Sequence, residues 1–172
     1  SRGLGDVYKR QAWNSIMNFP SGYAVSAKNL MLALDRKDVD VRYKYVYGKG
    51  TPFPVEEPEN GDNYIANIIR QRKFDKSIPQ VVYGQGDVFY RNDGKYKIGY
   101  TMLETTGIPK EWVKQCNMMD EVWVPSHFNE KTFRDSGVKV PIHVIPLGVD
   151  PSYYSPNTVS YTHLTLPTNS LV

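Results

Sequence analysis

The sequence predicts an α/β protein whose core is a doubly wound, Rossmann-like parallel sheet. Two observations predict it. Short apolar runs rich in β-branched and aromatic residues alternate with stretches whose apolar residues recur at helical spacing, and most links between them are short. The chain also has 172 residues, 40% of them hydrophobic and 23% charged, which suits one domain with an ample core.

Taken in order, "AWNS" at 12–15 has the character of a strand end. "PSGY" follows as a loop, with Ser21 placed to cap a helix. Ala24, Ala27, Leu30, Met31 and Leu34 then recur at helical spacing, to about residue 37. "VDVRYKYVY" at 39–47 reads as a strand, and 48–61 as a loop of Gly, Pro and acidic residues. "DNYIANIIRQRK" predicts a short helix with Ile65, Ile68 and Ile69 on one face, and "QVVYG" a short apolar strand.

"GQGDVFYRNDG" is rich in turn residues, and "YKIGYTML" is the next strand. Pro109 suits the first position of a helix that carries Trp112, Val113 and Cys116 at core spacing. "DEVWVPS" is a strand ended by proline. Ser126 should cap a helix whose Phe128 and Phe133 face inward, with Gly137 ending it. "PIHVIPLG" at 141–148 is the last strand.

Composition excludes several function classes. The formal net charge is +3, with basic residues scattered among acidic ones rather than gathered on one face, which argues against nucleic acid as a partner. Cys116 is the single cysteine, so no intramolecular disulfide framework or cysteine metal cluster is expected. Its apolar neighbours predict a buried, inert thiol. No run is long enough to span a bilayer and no signal-like segment opens the chain, so a cytoplasmic protein is expected.

The two ends read differently from the middle. After Asp150 there is no Lys, Arg, Asp or Glu. "SRGLGDVYKRQ" at the head and "VSYTHLTLPTNSLV" at the tail resemble translated sequencing-adapter read-through. Residues 1–11 and 158–172 are therefore expected to lie outside the folded unit, which is placed at 12–157 and taken to be cut at both sides, with a truncated first strand.

In doubly wound folds, ligands bind beyond the carboxyl ends of the strands, where strand order reverses. Candidate site residues are those that follow strands. Ser21, Gly22 and Tyr23 open a helix after the first strand, either as a ligand-binding turn or as a tight turn with a cap. Neither G-x-G-x-x-G nor G-x-x-x-x-G-K-[ST] is present. Asp87 binds a sugar hydroxyl or caps its own turn. Glu104, beyond the fourth strand, is the candidate catalytic group, with a structural hydrogen bond as the alternative. Ser126 is first a helix cap. His127 has no partner spaced for a metal or a triad, and no metal site is expected.

The run from "YTMLETTGIPKEWVKQC" through "DEVWVPS", "NEKTFRDSGV" and "IHVIPLGVDPSYYSPN" resembles the N-terminal domain of a GT-B glycosyltransferase of the family 4 / family 1 type. "PSGYAVSAKNLMLAL" is similar to the glycine-containing loop and first helix of that family. The resemblance implies one half of a two-domain fold, in which this half holds the acceptor and an absent C-terminal domain holds most of the donor. The reaction implied is transfer of a sugar from a nucleotide-sugar to a hydroxyl of a glycan, lipid or small molecule. The nucleotide-sugar serves as co-substrate and no cofactor or metal is needed. Ser21 and Gly22 would approach the donor diphosphate, Gly148 would lie where the chain leaves for the second domain, and Glu104 would have a polar active-site role. The family's paired glycine is "SGY" here. The fragment alone is expected to be inactive. The competing expectation is a stand-alone sugar- or nucleotide-binding module without catalysis.

Overall fold

A computed structural model describes residues 9–47, 64–149 and Pro151. Its strands are β1 (Arg10–Ser15), β2 (Asp40–Tyr45), β3 (Gln80–Tyr83), β4 (Lys97–Tyr100), β5 (Glu121–Val124) and β6 (Ile142–Val144). The helices between them are α1 (Gly22–Asp35), α2 (Tyr64–Gln71), α3 (Lys110–Cys116) and α4 (His127–Asp135). A 3₁₀ segment spans Gly86–Arg91. All neighbouring strands are parallel, in the order β2-β1-β3-β4-β5-β6. The predicted doubly wound α/β sheet is what the chain forms.

Strand alternation divides the core into two layers. Val81 and Tyr83 point to one face, where Trp13, Ile98 and Tyr100 join Ala27 and Met31 of α1 and Ile69 of α2. Val82 points to the other, with Val122, Val124 and Phe89, under Trp112 and Cys116 of α3 and Phe133 of α4. Both faces are thus packed, which explains why β3 reads as an unbroken apolar run rather than an alternating one.

Helix ends follow the expected chemistry. The Ser21 hydroxyl accepts from the Ala24 amide at 3.2 Å, and the Ser126 hydroxyl accepts from the Asn129 amide at the same distance. Gly137, at φ 105°, ends α4, and the Val138 amide reaches back to the Phe133 carbonyl at 3.0 Å. Asp38 plays the same part after α1. It sits at φ 61° while the Val39 amide bonds the Leu34 carbonyl at 3.1 Å. An L-residue there is strained, so Asp38→Gly should stabilise the fold by about 0.5–1 kcal/mol. An unchanged or lower urea midpoint would refute this.

The end of α2 is fixed by Arg72, whose guanidinium bonds Asp35 Oδ1 at 2.5 Å and the Val41 carbonyl at 3.1 Å. One residue thus ties the chain after α2 to both α1 and β2.

Several sequence expectations shift. β1 takes in Arg10 and Gln11, paired with Asp40 and Val41, so it begins before the boundary placed at 12. The turn-rich stretch after β3 closes into the 3₁₀ segment. β6 is only three residues long, because proline at 141 and 146 brackets it. Pro109 lies just before α3, as its capping residue. Phe133 is fully buried, but Phe128 is 51% exposed. It follows His127 at the solvent side of the first turn, so the pair does not share an inward face. The expected loop at 48–61 lies outside the described residues, as does the whole of 158–172. No helix among the described residues is long and apolar enough to cross a membrane.

Candidate functional site

Strand order reverses between β1 and β3. The chain runs outward from β1 to β2 on one side, and from β3 through β6 on the other. The segments leaving the carboxyl ends of β1 and β3 therefore diverge and leave a crevice. Hydrogen bonds fix its base: the Ser15 hydroxyl donates to the Tyr83 carbonyl at 2.7 Å, and the Tyr83 hydroxyl donates to Ser26 of α1 at 2.8 Å.

Two adjoining recesses occupy this crevice. The first, of about 160 Å³, is lined by Ile16, Phe19, Ser21, Tyr23, Tyr47 and Gln85. The second, of about 290 Å³, shares Tyr23 and Gln85 with it. Around the rest of the second are Gly22 and Ser26 from α1, Met102 to Glu104 from beyond β4, Trp112 from α3, and Leu147 from beyond β6.

Tyr23 organises the second recess. Its hydroxyl donates to the Met102 carbonyl at 3.1 Å, accepts from the Met102 amide at 3.3 Å and lies 3.2 Å from the Thr101 hydroxyl. Burial holds its phenol above the ordinary tyrosine range, and the negative charges of Glu104 and Asp87 push the same way. One residue further along, the Leu103 carbonyl accepts from the Asn129 side chain at 2.6 Å. The segment that carries Glu104 is thus pinned from α1 on one side and from α4 on the other. Tyr23→Phe removes the first pin and is expected to cost about 1–2 kcal/mol by denaturant unfolding. It should also raise amide exchange at Met102 and Leu103. A wild-type midpoint with wild-type exchange would contradict this.

The sequence-predicted residues fare unequally. Tyr23 and Gly22 line the second recess, Ser21 lines the first, and Glu104 stands at the rim of the second. A Cβ built on Gly22 meets nothing within 4 Å, so open space lies before the start of α1. Glu104 was expected at the end of a buried strand, yet β4 stops at Tyr100 and Glu104 is exposed. Its carboxylate has no hydrogen bond or ion pair with the described residues. Asp87 is exposed in the first turn of the 3₁₀ segment. It faces the crevice only electrostatically, raising the Tyr47 phenol after burial has done most of the work. Ser126 is a helix cap, and neither it nor Gly148 lines either recess.

Gln85, Trp112, Phe19 and Tyr47 were missed. Gln85 carried a signal, since it comes two residues after the end of β3 at the reversal, one place ahead of the glycine before Asp87. Trp112 and Tyr47 carried none, because core spacing accounts for one and strand propensity for the other. Cys116 is buried, and burial pushes its thiol up to about 12, as an inert core residue requires. Among the described residues, no three His, Cys, Asp or Glu side chains gather as a metal-ligand set.

Comparison with protein-family models, with curated proteins and with solved structures finds no match to this chain.

Proposed function

We propose that the chain is the acceptor-side domain of a nucleotide-sugar-dependent glycosyltransferase of the two-domain GT-B class, acting in the cytoplasm. One observation carries the reading. At the crevice where ligands bind in such sheets, the Gln85 amide and the Glu104 carboxylate, neither hydrogen-bonded to the described residues, stand beside the open start of α1. The resemblance of residues 12–157 to that family supplies the reaction.

In this reading the acceptor lies in the second recess. Glu104 accepts a hydrogen bond from the attacking hydroxyl and Gln85 orients it, while the backbone at Gly22 faces the donor diphosphate. The bond between the anomeric carbon and the diphosphate breaks, and one to the acceptor oxygen forms. The hydroxyl proton leaves toward the carboxylate or solvent. In enzymes of that class a second domain binds the donor nucleotide, so turnover needs both domains.

The test is to recover the downstream coding sequence, express the extended chain and measure nucleotide diphosphate release from nucleotide-sugars with a panel of acceptors. Turnover is expected, with kcat falling on the order of 10²-fold or more in Glu104→Gln while the donor KM holds. A stop directly after the described fold, with sugar binding but no transfer, would replace the enzyme by a binding module.

A further inference from the structure

The crevice is divided, and its two compartments differ in chemistry. Tyr23 and Gln85 line both and form the partition. On the first side the walls are Ile16, Phe19 and Tyr47. The polar groups there are mostly committed: the Ser21 hydroxyl to the Ala24 amide, the Tyr23 hydroxyl to Met102. Among the described residues, no charged side chain lines this compartment. Arg91, nearby at the end of the 3₁₀ segment, spends its guanidinium on the Val46 and Tyr47 carbonyls at 2.8 and 2.9 Å. The Gln85 amide, at the partition, makes no hydrogen bond with the described residues.

These facts select an occupant. A phosphate would find no free cation among the lining residues. A hexose would place several hydroxyls against Ile16 and Phe19 without partners, which is costly. An apolar group has no such cost. A cavity of about 150 Å³ with apolar walls accommodates one benzene ring, so a compartment of about 160 Å³ matches a single six-membered ring. The second compartment, with Glu104, Ser26 and Gln85, suits the hydroxyl-bearing part.

We infer that the acceptor is amphipathic, an alcohol or glycoside with one apolar ring that seats between Phe19 and Tyr47 while its hydroxyls face Gln85 and Glu104. This rests on the acceptor-side reading above for its chemistry, but the compartment can be tested without it.

The experiment titrates the chain with phenyl β-D-glucopyranoside and with methyl β-D-glucopyranoside, following amide chemical shifts. The phenyl compound is expected to bind at least tenfold more tightly and to shift Gln85 and Tyr47. Phe19→Ala should bring the two affinities within twofold of each other. Tyr47→Ala serves the same purpose if the first variant melts early. Equal affinities for both glycosides in the wild type, or no binding of either at millimolar concentration, would overturn the inference. Sugar transfer by the extended enzyme separates the two ideas. Transfer to the methyl glycoside with no phenyl preference sinks the apolar compartment and keeps the enzyme. A phenyl preference with transfer to neither keeps the compartment and sinks the enzyme.

Discussion

Gly99→Ala is expected to destabilise the fold by about 3 kcal/mol, at the upper end of the usual cost of overpacking. Gly99 sits in β4, and a Cβ there would lie 2.2 Å from the ring of Phe89 and within 2.6 Å of two more of its carbons. Phe89 is fully buried in the 3₁₀ segment and has nowhere to retreat. The ring packs directly on the bare backbone at Gly99, so the 3₁₀ segment approaches the sheet more closely than a side chain at position 99 would permit. Urea unfolding measures the cost, and a loss below about 0.5 kcal/mol would sink the argument. Phe89→Leu supplies the internal control. Alone it loses packing, but combined with Gly99→Ala it vacates part of the space the methyl needs. The double variant should therefore lose less than the sum of the two singles.

Trp112→Ala is expected to cost about 3–5 kcal/mol, the range for deleting a large buried aromatic. In a domain of this length, that lowers Tm by roughly 10 °C or more. The indole is only 8% exposed and packs against the backbone at Gly86, where a Cβ would come within 2.7 Å of it. The same side chain forms part of the wall of the second recess. Its loss should therefore weaken glycoside binding even in the fraction that remains folded at low temperature. A thermal melt paired with titration at 10 °C checks both parts. A Tm within 3 °C of wild type would refute the packing claim.

The sequence disclosed the alternation of strands and helices, because period and capping are local. Ser21, Ser126 and Gly137 each act through neighbours within a few residues, and each does in the structure what its chemistry predicts. Strand order is another matter. Nothing local says that β1 pairs with both β2 and β3, yet that arrangement makes the crevice. Reading Glu104 as a strand end failed because "YKIGYTML" keeps its apolar character past Tyr100, where pairing stops and the Tyr23 and Asn129 contacts take over. Phe128 failed for a similar reason. Aromatic content suggested burial, but its position in the first turn of α4 points it to solvent. Gln85 was passed over in favour of a charged neighbour, although position after the strand, not charge, decides what faces the crevice.

The strand order described above also schedules how the chain is put together. Ala12 pairs with Gln80, and no hairpin anywhere in the described sheet lets sequence neighbours close on each other directly. While the chain emerges from a ribosome, β1 and β2 can zip together early. The other flank of β1 then stays open until β3 appears, on the order of seconds later at ordinary elongation rates. Trp13, buried in the finished protein, has no β3 beside it during that interval. The slowest and most aggregation-exposed moment of biogenesis should therefore precede the arrival of Val81 and Val82, and a chaperone that shields nascent β1 would shorten the list of wrong partners it can meet.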